Sequence, residues 1–573
     1  MQDRTSVLFV LVLALGSLSC GSSRPRTATG AALETIRPDA IRAHVRFLAD
    51  DLLEGRGTGT RGYQLAANYV AAQLEAVGLE PAGNDGTYFQ PVAFRKADLV
   101  PRESSLTLYR EGVARGLEHG EHYLLSADLV HERSRVRAPL VFVGFGVTAP
   151  ELDHDDYAGI DAAGKIAVLL SGAPVRFPHN ERAYFSSSRL KLENAASHGA
   201  VGVLNVQSAV DRRRRPWPAL VRRSGFASMR WLNEDNEPVG VANAIRAAAQ
   251  LSPDGAEAVF EGAPQRLEDI LSRAGNGGPQ PFDLAFEAEL DVATRHERVE
   301  SPNVIGQLRG SDPEFRDEYV VYSAHLDHLG IGEPVDGDAI YNGAMDNAVW
   351  TAVMIEIAHA FATLGEPPRR SVLFLAVTGE EKGLLGSDYF MSRPTVPRGQ
   401  IVANLNLDAG PVMHALHEII PTGAEHSSLA DVVERVAAQM DLQVSPDPEP
   451  EEVLFIRSDQ YSFVRWGVPA VFMNLGLETG EPDRDGAALK DEWRRTRYHQ
   501  PADDLNQPMD LDAAALFAKT NFLLGFHVAS DADRPTWKPG DFFGEKFGSP
   551  QKGADALPLS QGHSQPGRRS AVQ

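Results

Sequence analysis

Ser371-Val372-Leu373-Phe374-Leu375-Ala376-Val377-Thr378-Gly379-Glu380-Glu381 decides how this chain is read. Residues 371–377 are apolar and β-rich, with Pro and Arg before them and Gly after, so the run predicts a buried strand of an α/β sheet. Two glutamates stand side by side at its end. The carboxyl ends of such strands are where α/β proteins build their sites. Adjacent carboxylates there repel each other and lose water, so something positive must compensate, and a metal cluster is the leading candidate. The plain alternative is a solvated pair capping a strand, and the rest of the chain decides between them.

Outward from that strand, the chain alternates from Pro302 to about Phe526. Strands are predicted at 320–323, 371–377, 401–407 and 470–474, and helices at 348–364, 427–440 and 510–530. Alternation of this kind predicts a mostly parallel sheet covered on both faces. Residues with metal-ligand chemistry fall at the strand ends and in the loops. These are His325-Leu326-Asp327, then Asp346 opening a helix, Glu380-Glu381, Asp408 after Asn404-Leu405-Asn406-Leu407, and His499 in Tyr498-His499-Gln500-Pro501-Ala502-Asp503. A lone His or Asp in a loop is usually a surface residue. Their recurrence at successive strand ends of one unit reverses that expectation.

Before this unit, a helix is predicted with Ile41, Val45, Leu48 and Leu52 on one face. Gly55-Arg56-Gly57-Thr58-Gly59-Thr60-Arg61-Gly62 lacks the Lys-Ser/Thr of a P-loop and reads as a turn opening a helix over 63–77. From about residue 115 the texture changes, with short apolar strands at 140–143 and 165–170 and a helix at 191–198 leading into Gly199-Ala200-Val201-Gly202-Val203-Leu204-Asn205-Val206. Arg212 to Arg215 reads as a solvated charged loop. The tail after Asp531, rich in Pro, Gly, Ser and Gln, is expected to be disordered.

The 573 residues allow two or three domains, and the net charge of −23 disfavours nucleic acid and anionic lipid surfaces as partners. Val7 to Leu18 is apolar but too short to span a membrane and fits the core of an export signal. The single cysteine, Cys20, excludes an internal disulfide. Other hydrolase classes lack support: there is no His-Glu-x-x-His, no Gly-x-Ser-x-Gly and no cysteine nucleophile.

Ala324-His325-Leu326-Asp327-His328-Leu329-Gly330, Asn342-Gly343-Ala344-Met345-Asp346-Asn347-Ala348, Gly379-Glu380-Glu381-Lys382-Gly383-Leu384-Leu385-Gly386-Ser387, Asn406-Leu407-Asp408 and Tyr498-His499 together closely resemble the M28 family of zinc peptidases. The resemblance covers nearly all of residues 40–525 and includes the segment Leu53-Glu54-Gly55-Arg56-Gly57. It implies two zinc ions, for which Co2+ or Mn2+ are substitutes. One would be held by His325, Asp408 and Asp346, the other by Glu381, His499 and Asp346, with Asp346 bridging. Glu380 is left over as the general base for the attacking water. Asp327 is expected to orient His325 through its carboxylate, and Tyr498 to donate to the oxyanion. Asp503 is read as orienting His499 or its loop, and His328 as structural. Departures from the family are Met345, Val349-Trp350 and Gln460, and residues 477–497 form an insertion that would wall the pocket.

Gly144-Phe145-Gly146, Asp156-Tyr157, the Gly164-Lys165 strand and the helix before Gly199-Ala200-Val201-Gly202 resemble the protease-associated (PA) domain, and Ser17-Leu18-Ser19-Cys20-Gly21 resembles a bacterial lipoprotein signal. The expected organisation is a signal over 1–20, a tether over 21–38, the first part of the peptidase domain over 39–114, a PA insert over 115–295, the catalytic domain over 296–530 and a disordered tail over 531–573. The fold class is α/β, a mostly parallel mixed sheet sandwiched by helices and zinc-exopeptidase-like, with the smaller PA domain inserted. The resemblance implies an exported aminopeptidase acting on peptides, in the periplasm or anchored to the outer membrane through Cys20, or else secreted. Alternatives are carboxypeptidase, dipeptidase or glutaminyl-cyclase-like chemistry on the same scaffold, or a non-catalytic binding protein. Oligomeric state is left open.

Overall fold

Four buried parallel strands form the centre of the molecule, in the order Ser371–Val377, Tyr319–His325, Ile401–Asn406, Ala470–Leu475. Every residue of the first three is buried, as expected of strands covered on both faces. The sheet becomes mixed at its edges. Phe282–Leu308 runs antiparallel to Ser371–Val377, and Glu418–Thr422 runs antiparallel to Ala470–Leu475. This is the α/β sandwich read from the sequence. The computed structural model describes residues 28–274 and 279–548. The export signal, Cys20 and the end of the chain after 548 lie outside them.

Helices Pro38–Leu48, Arg61–Ala76, Val349–Ala362, Leu429–Met440 and Leu511–Ser530 contribute to one core on one face of the sheet. Pro38–Leu48 buries Ile41, Val45 and Leu48, each worth about 1.5–3 kcal/mol in removal from water. Leu52 does not join that face and is 77% exposed. The helix ends at Leu48, and Asp50 caps the next turn by accepting the Leu52 N–H, which rotates Leu52 away. Trp350 packs beneath the site against Phe517, with ring centroids 4.8 Å apart.

A second lobe has its own sheet and core. The 27-residue strand Phe282–Leu308 threads both sheets. In the lobe it alternates strictly, with Leu284, Phe286, Ala288, Leu290 and Val292 inward. The outward Glu287, Glu289 and Asp291 face Arg137, Arg135 and Arg133 of strand Arg133–Phe142 at 2.7–3.0 Å. The lobe's boundaries differ from expectation. Its sheet already includes Ser105–Arg110, upstream of residue 115, and Val113–Gly116, which begins before it, because Leu106 and Leu108 supply apolar positions to its core. Conversely, Ser228–Trp231 leaves the lobe and pairs with Phe89–Leu99 beside the main sheet.

Two segments expected to be unstructured are not. Ala28–Thr35, inside the expected tether, is helical, with Ala32 and Ile36 buried against the core. Residues 531–548, the start of the expected tail, carry helix Phe542–Phe547, whose Phe543 and Phe547 fill a cluster with Phe455 and Val464. Four aromatics within a Pro/Gly-rich stretch supply the apolar area that composition alone obscured. Arg212 to Arg215 is likewise not a solvated loop: Ala209–Arg214 is a helix, and Arg214 is nearly buried, pairing with Asp211 at 2.9 Å.

Candidate metal centre

The parallel strands deliver His325, Glu380-Glu381 and Asp408 at or just beyond their carboxyl ends, on one side of the sheet. Asp346 and His499 arrive from loops. His325 Nε2 stands 3.2 Å from Asp346 Oδ1 and 3.3 Å from Asp408 Oδ1. His499 Nε2 stands 3.1 Å from both Asp346 Oδ2 and Glu381 Oε1. Asp346 therefore turns one oxygen to each histidine. The structure brings all five residues together.

His328, read as structural, also faces this set. Its ring is buried, with Nδ1 3.0 Å from Glu381 Oε1 and 3.9 Å from Asp346 Oδ2. Ligand atoms of His325, Asp346 and Asp408, and of His328, Asp346 and Glu381, form two groups, each with its atoms within 4.8 Å of one another. Close as they are, these groups lack hydrogen-bond geometry: neither nitrogen of His328 makes a hydrogen bond, nor do Asp346 Oδ2 and Glu381 Oε1. Buried polar atoms left without partners are costly, so the site asks for cations. The nitrogen and oxygen donors, without thiolate, fit zinc.

Electrostatics agree. Burial alone would lower the His325 pKa, but Asp408, Glu380 and Asp346 outweigh it and hold it well above the usual histidine range. Burial favours a neutral Glu381, yet His499 and His328 bring it well below the usual carboxylate range. Glu380 moves the other way. Burial, together with the charges of Glu381, Asp408 and Asp459, pushes it well above that range against the pull of His325. Its carboxylate makes no hydrogen bond or ion pair among the described residues. The two adjacent carboxyl groups thus differ in environment, Glu381 held ionised by two histidines and Glu380 facing mainly other carboxylates.

Asp327 does not orient His325 as expected. His325 Nδ1 lies 2.9 Å from the backbone carbonyl of Asp327, not its carboxylate. The carboxylate instead accepts from Thr58 Oγ1 at 2.9 Å and from the Glu380 N–H at 3.1 Å. With one residue between them, the chain turns back so that the carbonyl, not the side chain, meets the ring. Asp327 thus positions the backbone of Glu380. Asp503 likewise serves another residue than expected: it accepts the N–H groups of Met345 at 2.9 Å and Asp346 at 3.1 Å, fixing the turn that presents Asp346. Tyr498 stacks on His499 at 3.8 Å, and its hydroxyl makes no hydrogen bond among the described residues. Gln460 joins Asn406, at 2.9 Å, to the Phe455 carbonyl, so it braces the strand end. The insertion carries helix Gly486–Thr496, which lines a cleft with the loop at Gly410 and His414.

Four supporting residues escaped the sequence reading. Arg56 is fully buried beneath the centre and donates to the carbonyls of Leu326 (2.9 Å), Leu48 (2.5 Å), Asn342 (2.6 Å) and Gly343 (3.0 Å). The loop read as a turn is a buried arginine pillar. Gly55 is required beside it, since at φ +66° a Cβ would lie 2.3 Å from the Tyr341 carbonyl. Ser458 donates to Asp408 Oδ2 at 2.5 Å. Asp459 is buried with neither oxygen hydrogen-bonded; burial, opposed by His325 and reinforced by Asp408 and Asp327, raises its pKa to about 7. Arg223 reaches the centre from the second lobe, with its Nη1 2.6 Å from His499 Nδ1 and its Nη2 donating to the Glu381 carbonyl at 3.0 Å. Spacing to the ligand motifs offered no signal for Arg223, which lies 158 residues from Glu381.

Comparison with known proteins bears on this segment of the chain. Residues 303–524 match Peptidase family M28. The matched segment contains every residue of the centre named above except Leu48, Gly55, Arg56, Thr58 and Arg223. "Aminopeptidase NAALADL1" of Rattus norvegicus is 30% identical over 162 residues, which are 27% of this chain and 19% of that protein. "Probable glutamate carboxypeptidase LAMP1" of Arabidopsis thaliana is 30% identical over 212 residues, 35% of this chain and 28% of that one. The chain thus spans less than a third of the length of these curated relatives. A solved aminopeptidase from Aneurinibacillus sp. strain AM-1 superimposes with a TM-score of 0.53 at 18% identity, covering 90% of this chain and 98% of that one. The fold shared with that structure extends across both lobes.

Proposed function

We propose that this protein is a dinuclear zinc exopeptidase that releases N-terminal amino acids from peptides. The observation that carries the reading is Asp346, whose two oxygens each face a histidine, His325 on one side and His499 on the other, with Asp408 and Glu381 completing the two halves. His325, Asp408 and Asp346 would hold one ion, and Glu381, His499 and Asp346 the other. When bound, the two ions supply Lewis acidity to the scissile carbonyl and lower the pKa of the attacking water. The chain's own residues supply the rest. With two cations bound, the neighbouring carboxylates are offset and Glu380 ionises. Glu380 then takes the proton of that water and passes it to the leaving amine, a role suited to a carboxyl that nothing else engages among the described residues. The free hydroxyl of Tyr498 donates to the oxyanion. Asp327 holds the Glu380 backbone in register with the reacting atoms.

The names of the relatives support aminopeptidase and carboxypeptidase chemistry alike, and release from the N-terminus is preferred here. A panel of aminoacyl anilides set beside N-blocked peptides tests it, with the metal-loaded protein and a chelated, dialysed control. Hydrolysis confined to free N-termini and abolished by chelation is expected. Activity that survives metal removal overturns the reading. Export and lipid attachment at Cys20 belong to the same proposal, and incorporation of labelled palmitate that is lost in Cys20→Ser checks them. The second lobe is assigned to the PA class on its sequence resemblance.

A further inference from the structure

Arg223 is the residue that the second lobe sends to the metal centre. It lies in helix Trp217–Ser224, and both flanks of that helix are pinned. Trp217 Nε1 donates to the Gly120 carbonyl at 2.8 Å on one side. On the other side, Phe226 packs edge-on against Tyr341 at 5.3 Å and lies under the Lys382 ammonium at 5.2 Å. Ser228–Trp231 then enters pairing with the strand beside the main sheet. The guanidinium is thereby held on the Glu381 carbonyl at 3.0 Å, 3.5 Å from Glu381 Oε2 and 2.6 Å from His499 Nδ1. Its side chain is 41% exposed, while that of Glu381 beside it is 2% exposed. Arg223 is the part of this corner that a ligand can touch.

The charges make it available. Two divalent ions and the ligands Asp346, Glu381 and Asp408 leave one positive charge, which an ionised Glu380 cancels. Arg223 is then a surplus cation at the mouth, with Lys382 adding a second basic group nearby. A guanidinium offers five N–H donors in a planar fork; the Glu381 carbonyl takes one, and His499 Nδ1, which carries its own proton when Nε2 faces an ion, takes none. The group that such a fork binds best is a carboxylate. A free α-ammonium on this side would meet like charge.

We propose that Arg223 recognises a carboxylate of the peptide substrate next to the scissile bond, either the side chain of an acidic residue or a free terminal carboxylate. This rests on the peptidase reading. The second lobe then contributes specificity directly to the centre.

The test compares wild type, Arg223→Gln and Arg223→Lys of the metal-loaded chain on four substrates. Two are the glutamyl anilide and its neutral glutaminyl counterpart. Two are an N-blocked dipeptide with a free carboxylate and the same peptide as its amide. Wild type is expected to favour one acidic member over its neutral partner tenfold or more, and which pair shows the preference identifies the source of the carboxylate. In Arg223→Gln that ratio falls to near one, mainly through KM, and Arg223→Lys recovers part of it. No acidic preference in wild type, or an equal loss on acidic and neutral members in Arg223→Gln, overturns the proposal and leaves Arg223 as a structural tie. Calorimetric binding of a glutamyl dipeptide to Glu380→Gln, with and without Arg223→Gln, gives a readout free of turnover. Tenfold weaker binding without Arg223 is expected, and equal binding contradicts it. If wild type hydrolyses none of the four, the peptidase reading fails and this binding comparison alone decides on Arg223.

Discussion

His325 and His499 face the same carboxylate, Asp346, but are supported in different ways. His325 ends a buried strand, its side chain is 1% exposed, and its second nitrogen rests on a backbone carbonyl two residues away. His499 sits in a loop at φ +57°, its side chain is 20% exposed, and its second nitrogen meets an arginine from another lobe. One half of the centre is therefore built by the sheet. The other joins the strand-end Glu381 to a histidine from a loop and depends on a distant segment for its surroundings. A left-handed non-glycine residue persists only where its neighbours hold it, so the exposed half is the one more easily changed.

The largest effect is expected from removing what the halves share. Asp346→Ala should lose both ions, which emission spectrometry would read as near-zero zinc per chain, with activity at background. Retention of one tightly held ion would mean that the halves do not share Asp346. Next come His325→Ala and His499→Ala. Each should lower turnover roughly 10³-fold or more, because metal polarisation supplies several kcal/mol. Their metal contents should differ. His499→Ala retains the ion of the buried half, whereas His325→Ala disturbs Asp408 and Asp346 together. Equal metal loss in the two would erase the distinction drawn here.

Smaller effects sharpen why the buried half is rigid. Arg56→Met leaves the carbonyls of Leu48, Leu326, Asn342 and Gly343 without their donor. A loss of about 3 kcal/mol or more of stability is expected in urea unfolding, more than any exposed ion pair of the second lobe would cost. Asp459 gives the smallest effect, read in the metal-free protein. Its folded-state pKa is raised from 3.8 to about 7, so its favourable contribution is complete below pH 4 and lost as pH rises towards 7. Asp459→Asn should flatten the pH dependence of stability across that window, where the slope owed to Asp459 is at most about 1.4 kcal/mol per pH unit. An unchanged slope would show that Asp459 is already satisfied in the folded state.

The same division explains what could be read from the chain. Strand ends announce themselves: Ser371 to Val377 is continuous and apolar, and His325, Glu381 and Asp408 follow such runs directly. The α/β class and the placing of His325, Glu381 and Asp408 were legible for that reason, whereas Asp346 and His499, which come from loops, were singled out through the M28 resemblance. Contacts made across space were not. Arg56 serves four carbonyls, three of them beyond its own neighbourhood, and nothing in a glycine-rich turn signals that. Asp327 has the right spacing to meet His325, but backbone direction gave that contact to its carbonyl. Residues 531–548 have the composition of a tail, yet packing of Phe543 and Phe547 against Phe455 and Val464, with contacts such as Trp537 Nε1 to the Gly467 carbonyl, holds them in place. Arg223 required the path of the second lobe, which the helix and strand periods do not encode.

The central claim is that Glu380 carries the proton beside a centre that it does not hold together. Glu380→Gln, prepared with zinc, tests it in one experiment that pairs metal content with turnover. Two zinc ions per chain and a fall in kcat of roughly 10²–10⁴-fold are predicted. Turnover close to wild type with both ions in place, or loss of an ion on substitution, would contradict it.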